Sequence, residues 1–319
     1  MTSTSLRGRR RFGLRFTNPA RLRLAGKVSA VALALLVVVA VFAPLITPHD
    51  PTGGELKDLL RPPVWADGGS WTFPLGTDSL GRDELARLMY GARVSLLVGL
   101  VAAVIASIVG VPLGLLSGYL GGKVDSVIVG VVNVMMAFPF LLLALLVAGI
   151  TGPGLRNVLL ILGLTGWPIY TRVIRSVVLE LRERTFVTNA RVMGLSHLRV
   201  MFRHVLPGVW PTFLVLTSLQ IGHMILAEAF LSFLGLGVQP PTPTWGGMLN
   251  EGRAYIYGQW WLTAFPGIAI LITVLCVNLL SDSIRDALAS GGGSGDGAPG
   301  DDSISPGTVR ADTVKGTTP

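Results

Sequence analysis

Along the chain, long uncharged apolar runs alternate with shorter polar segments. A helix crosses a hydrocarbon core of about 30 Å with roughly 20 apolar residues. Residues 28–46, 94–120, 126–150, 205–236 and 260–280 meet that requirement. Residues 157–171 are uncharged but short, and Pro168 interrupts them. That run must begin at Leu155 or continue past Arg172 with the arginine snorkelling toward water. The pattern predicts an all-α polytopic membrane protein with six transmembrane helices. Its expected segments are a basic arm (1–27), a first span (28–46), a loop (47–93), a core of five spans (94–284) and a polar tail (290–319).

Charge orients these spans. Arginines crowd the arm (Arg7, Arg9, Arg10, Arg11, Arg15, Arg21, Arg23), and seven more fall between Arg172 and His204. Six spans put both segments, and both termini, on one side, and the positive-inside rule makes that side cytoplasmic. Loops 47–93 and 238–259 then face outward. The first apolar run exceeds the 7–15 residues of a signal-peptide core and no clear cleavage site follows it, so an uncleaved span is expected.

Composition agrees. Half of the 319 residues are hydrophobic and 14% are charged, against about a quarter in soluble domains. The net charge of +8 lies beside the apolar runs, where it reads as a topology signal rather than a nucleic-acid footprint. The single cysteine, Cys276, excludes an intrachain disulfide and a multi-cysteine metal site. The Gly-, Ser-, Asp- and Thr-rich stretch 290–319 reads as a disordered tail.

Catalytic motifs are missing. A phosphate-binding loop reads G-x-x-x-x-G-K-[ST]. The nearest approach, 117–124, keeps Gly122-Lys123 but begins with Ser117 and ends with Val124. No G-x-S-x-G or H-E-x-x-H occurs. The chain is therefore expected to bind no cofactor or metal itself and to catalyse nothing. Two polar residues fall in the fifth run, His223 and Glu228. A carboxylate there faces a water-filled pathway or bonds to a neighbouring helix; His223 with Met224 alone makes no metal site.

The informative polar segment is 180–207. Helix formers run to Met193, Gly194 suits a left-handed cap, and Ser196 suits the N-cap of a second short helix. Pro207 and Gly208 punctuate its end. Val187, Ala190, Met193, Leu195 and Leu198 give this helix–turn–helix an apolar face. A helix pair this short is marginal alone, so it either docks on a partner protein or rests on anionic lipid.

Ala190 and Gly194, followed by Leu206-Pro207, match the spacing of the coupling loop of bacterial ABC importer permeases. Segments 75–83 (LGTDSLGRD), 90–96 (YGARVSL) and 228–246 (EAFLSFLGLGVQPPTPTWG) resemble the oligopeptide/dipeptide/nickel permease family, and the long N-terminal region is similar to its C-type subunits. Thr188, Asn189 and His204 depart from the loop pattern. The resemblance implies a type I importer permease bundle paired with a B-type permease, two ATPase subunits that bind ATP and magnesium, and an extracytoplasmic binding protein. It implies that Ala190, Arg191, Met193, Gly194, Leu195, Leu198 and Pro207 meet an ATPase. It also implies that Asp78, Arg82, Asp83, Pro240, Pro241 and Trp245 belong to the binding-protein platform, although Trp245, Trp260 and Trp261 also suit interfacial anchors. The implied cargo is a short peptide, with nickel or another small solute as the alternative. A stand-alone secondary transporter would need its own ion-coupling site, and a membrane enzyme would need clustered polar groups.

Overall fold

The computed structural model describes residues 24–292, all-helical apart from loops and isolated bridges. Residues 1–23 and 293–319, which hold most of the expected arm and tail, lie outside the described residues. Among the described residues, five helices are long and apolar enough to cross a membrane: α1 (Leu24–Ile46), α2 (Glu84–Leu120), α5 (Leu155–Arg182), the continuous helix His197–Phe233 and α10 (Trp261–Gly292). A sixth span arises if α3 (Gly122–Ala137) and α4 (Phe140–Thr151), bent 85° at their junction, count as one.

Two boundaries differ from expectation, and one run meets both of its expected alternatives. The run 126–150 is broken rather than straight. Pro139 has no N–H to give to the Met135 carbonyl, and Phe138 before it takes an extended ψ of 127°. The fourth run both begins at Leu155 and continues past Arg172, passing through Pro168 without ending. The second apolar run starts ten residues early. Asp83 caps α2 by accepting from the Leu85 N–H at 3.0 Å, so 84–93 is helix instead of loop. At 37 residues, α2 is about 55 Å long, well beyond the hydrocarbon core.

The core of the fold is the seam between α2 and α5. Ala102, Ala106, Gly110, Gly114 and Gly118 recur every fourth position, which places them on one helix face. Small residues let backbones approach. A Cβ added at Gly110 would stand 2.5 Å from both the Trp167 carbonyl oxygen and Tyr170 Cβ; at Gly114 it would stand 2.8 Å from the Thr171 oxygen. Thr171 Oγ1 donates to the Gly110 carbonyl at 3.1 Å. Nearer the end of α2, Arg182 donates to the Gly118 carbonyl at 3.1 Å. Helix α8 (Leu206–Phe233) packs on both members of this pair, α10 packs on α8, and α1 lies against α10 and α2. By contrast α3 buries only Val132, and α4 only Ala144 and Ala148.

Candidate functional site: an elbow and a platform at opposite ends of the bundle

At the end of α5 the chain turns at Glu183 and Arg184 into α6 (Thr185–Val192), then through Gly194 into α7 (His197–Val200). Gly194 has φ of +77° with open space around it, a conformation that favours glycine. The second limb does not end at Pro207. Residues Met201–Val205 form a π-turn, and the Leu206 N–H reaches back to the Met201 carbonyl. This wider turn admits Pro207 in the first turn of α8, because a proline has no N–H to give. The elbow is therefore rooted in one helix that runs from His197 to Phe233.

The expected apolar face of the elbow divides in two. Val187 and Ala190 point into the bundle with Val200, Met201 and Val205, against Leu115, Ile174, Val178 and Leu181. Leu195 is half-buried on the same cluster. Met193 and Leu198 face outward, at 74% and 64% exposure, beside Val192 at 82%, Phe186 and Phe202. Arg191 and Gly194 are exposed as well. The inward half seats the elbow, and the outward half is bare apolar surface at the turn.

The opposite end holds the platform. Asp78, Arg82 and Asp83 are 3–5% exposed, so they brace the loop instead of forming its outer surface. Asp78 accepts from Arg82 Nε at 2.7 Å and from Arg87 at 2.6 Å. Both arginines also reach Glu251 on α9 (Trp245–Gly252), at 2.7 and 2.8 Å. Asp83 takes His49 Nδ1 at 2.8 Å. Trp245, expected at an interface, is 1% exposed; its Nε1 donates to the Leu88 carbonyl at 3.0 Å. Pro240 and Pro241 are exposed. A cleft of about 600 Å³ opens among His49, Asp50, Lys57, Asp58, Arg61 and Phe73. Hydrogen bonds from the Thr52 hydroxyl and N–H hold the Asp50 carboxyl below its usual range.

Of the two polar residues in the fifth run, Glu228 is fully buried, accepting from Ser95 of α2 at 3.0 Å and from Ser232 at 2.7 Å. His223 is exposed on the other face of α8. The two are not brought together. Among the described residues no group of three His, Cys, Asp or Glu could hold a metal.

A family model described as the binding-protein-dependent transport system inner membrane component matches residues 110–291, more than half of the chain. The chain belongs to that family. A second model, the N-terminal TM domain of oligopeptide transport permease C, matches residues 25–63. Relatives include the dipeptide transport system permease protein DppC of Escherichia coli K12, 48% identical over 82% of this chain and 87% of that protein. The di/tripeptide permease DppC of Pseudomonas aeruginosa is 45% identical over 80% and 84%. A glutathione transport system permease, GsiD of Shigella flexneri, is 44% identical over 82% and 84%. Among solved structures, the inward-facing MetNI methionine ABC transporter aligns with a TM-score of 0.53 at 19% identity, covering 64% of this chain and 95% of that one. This last likeness speaks to the fold, that of a type I importer permease.

As a member of this inner-membrane family, the chain packs its recognisable 228–246 segment closely against its neighbours. In 228–246, Glu228 ties α8 to α2 and Thr244 caps α9 by accepting from the Gly247 N–H at 3.0 Å. A Cβ on Gly246 would stand 2.2 Å from the Ala229 carbonyl oxygen. Sequence reasoning missed Arg87 and Glu251. Arg87 follows the recognisable 75–83 segment by only one helical turn, which was a usable signal; Glu251 is 164 residues away and gave none.

Proposed function

We propose that this chain is one of two permease subunits of an ATP-driven importer of short peptides, with the elbow and both termini in the cytoplasm. One observation carries the reading: an elbow whose inner face is seated on the bundle leaves Val192, Met193 and Leu198 bare at the turn. Exposed apolar clusters of this kind mark partner sites. Since the sequence contains no phosphate-binding loop, ATP and magnesium belong to separate ATPase subunits that receive this turn. The arginine-rich flank of the elbow supports the orientation. Relatives named for dipeptides, di- and tripeptides and glutathione support a peptide cargo.

At the other end, the loop 47–83 with 234–259 meets an extracytoplasmic binding protein through its exposed residues, Pro240 and Pro241 among them. Asp78, Arg82, Asp83 and Trp245 keep that surface in shape from beneath. A B-type permease completes the pathway by covering the exposed faces of α3, α4 and α8, His223 included. Glu228 acts as an interhelix tie rather than a cargo contact, because it is fully buried and bonded to Ser95 and Ser232.

The test is reconstitution of the co-expressed complex in proteoliposomes. Labelled dipeptide uptake is expected to require ATP, the ATPases and the binding protein; uptake by this chain alone overturns the reading. Gly194→Val forces a β-branched residue into left-handed backbone, a strain of about 1–2 kcal/mol, and is expected to cut uptake per ATP roughly tenfold. Unchanged coupling in that variant argues against the elbow as the ATPase contact.

A further inference from the structure

We infer that Tyr119 is a positioning residue that fixes the elbow to α2, so that the elbow's two limbs move as one body with the transmembrane seam. The inference rests on the importer reading and goes beyond it, since it assigns a residue outside the elbow to the coupling step. Tyr119 closes the last turn of α2 and is buried. The Arg191 guanidinium, from the end of α6, lies 4.9 Å from the centre of its ring. Its hydroxyl lies 3.4 Å from Nδ1 of His197, the first residue of α7. The two rings meet edge to face with centroids 6.0 Å apart. One aromatic side chain therefore touches both limbs of the elbow across the Gly194 turn.

This contact adds a side-chain link from α2 to an elbow whose turns are held by local backbone bonds. Between Arg182 and Thr185 the chain has a break, and a break of this kind lets a helix swing. Around Gly194 the turn is closed by local backbone bonds, from the Gly194 N–H to the Arg191 carbonyl at 2.9 Å and from the Leu195 N–H to the Ala190 carbonyl at 3.3 Å, and a Cβ added at Gly194 would meet nothing within 4 Å. Burial of Val187, Ala190 and Val200 resists lifting of the elbow but is non-directional and resists sliding weakly. A cation over a ring face and an edge-to-face pair are directional, so they fix the angle between the limbs. The opposite end of α2 carries Arg87, bound to Asp78 and Glu251 of the platform. The helix that Tyr119 ends is thus fastened to the platform at one end and to the elbow at the other.

The experiment uses the complete complex in proteoliposomes and reads ATP hydrolysed per peptide taken up, alongside co-purification of the ATPases. Tyr119→Leu removes the ring and is expected to raise ATP per peptide roughly three- to tenfold, the factor that loss of one such contact corresponds to. Tyr119→Phe keeps the ring and is expected to stay within about twofold of wild type. Arg191→Gln, at an exposed position, removes the cation without disturbing the core. If the ring is the shared point of action, the double variant Tyr119→Leu/Arg191→Gln is no worse than Tyr119→Leu alone. Strictly multiplicative effects, or a Tyr119→Leu complex as tightly coupled as wild type, overturn the inference. A Tyr119→Leu complex that does not assemble shifts the decision to Arg191→Gln and Tyr119→Phe, and wild-type coupling in Arg191→Gln then overturns it. Failure of the wild-type complex to couple ATP to uptake is a different outcome and sinks the importer reading instead.

Discussion

Helix α5 and the pair α3–α4 each carry a proline within an apolar run, yet one helix continues and the other breaks. Pro168 is buried, in a helix whose neighbours on α2 are glycine and alanine; a Cβ on Gly110 would stand 2.5 Å from the carbonyl of Trp167, the residue before it. Pro139 is exposed, and α3 beside it buries one residue. The lost hydrogen bond is the same in both places. What differs is the packing available to hold the helix straight despite it. In lipid, neighbouring helices can re-satisfy such a defect; α5 has α2 packed along it, while α3–α4 touches its neighbours far less. The contrast separates a part of the chain packed on its own neighbours from a part that the proposed pairing with a second permease would cover.

The comparison can be broken most directly at the seam. Gly110→Leu drives a side chain into the Trp167 carbonyl and Tyr170, and should cost about 3 kcal/mol or more. The yield of assembled complex on size-exclusion chromatography is expected to collapse. The matched Gly130→Leu, on α3 where an added Cβ meets nothing within 4 Å, should leave the folded chain intact and weaken only its pairing with the partner permease. Equal yields from the two variants would refute the division.

A smaller effect is expected at the polar ties. Arg87→Leu takes one of two cations from buried Asp78 and from Glu251. Breaking such a buried pair costs about 3 kcal/mol, to be read as a lower melting temperature of the complex. Arg172→Gln removes the exposed 3.2 Å bond to Asn133 that links α5 to α3, and should cost about 1 kcal/mol or less. A reversal of that order would place the stability of the chain in α3 after all.

The smallest effect on stability belongs to Pro139→Ala, which should sharpen the account of the bend. Spin labels at 130 and 149, where there is open space, should lie roughly 21 Å apart across the 85° bend and move toward roughly 28 Å if the helix straightens. An unchanged distance would show that something other than the missing N–H sets the bend.

Much of the fold was legible in the chain because spanning helices announce themselves by length and lack of charge. The run that became α1 needed nothing else. The break at Phe138-Pro139 was written in the sequence too, but Pro168 carried the same sign and gave the opposite result. Only the neighbour's small residues decide between them, and their facing is a tertiary fact. The candidate site was legible in a similar, partial way. Asp78, Arg82 and Asp83 stood out as a charged group, but their inward direction depends on Arg87 and on a glutamate far along the chain. In the elbow, Gly194 and Ser196 marked the turn, while the division between seated Val187 and bare Met193 follows from how α6 lies on α2 and α5. Tyr119 gave no sign, since a tyrosine at the end of an apolar helix reads equally well as a membrane-surface residue.

Where glycine carbonyls of one helix receive the side chains of another, the two rods cannot slip or roll past each other by a fraction of a turn without collision. Any opening and closing of the conduit must therefore carry α2 and α5 as a single lever. With Tyr119 fastening the elbow to the end of α2, that lever carries the elbow with it, and the freedom to move is left to the contacts of the pair with the rest of the bundle.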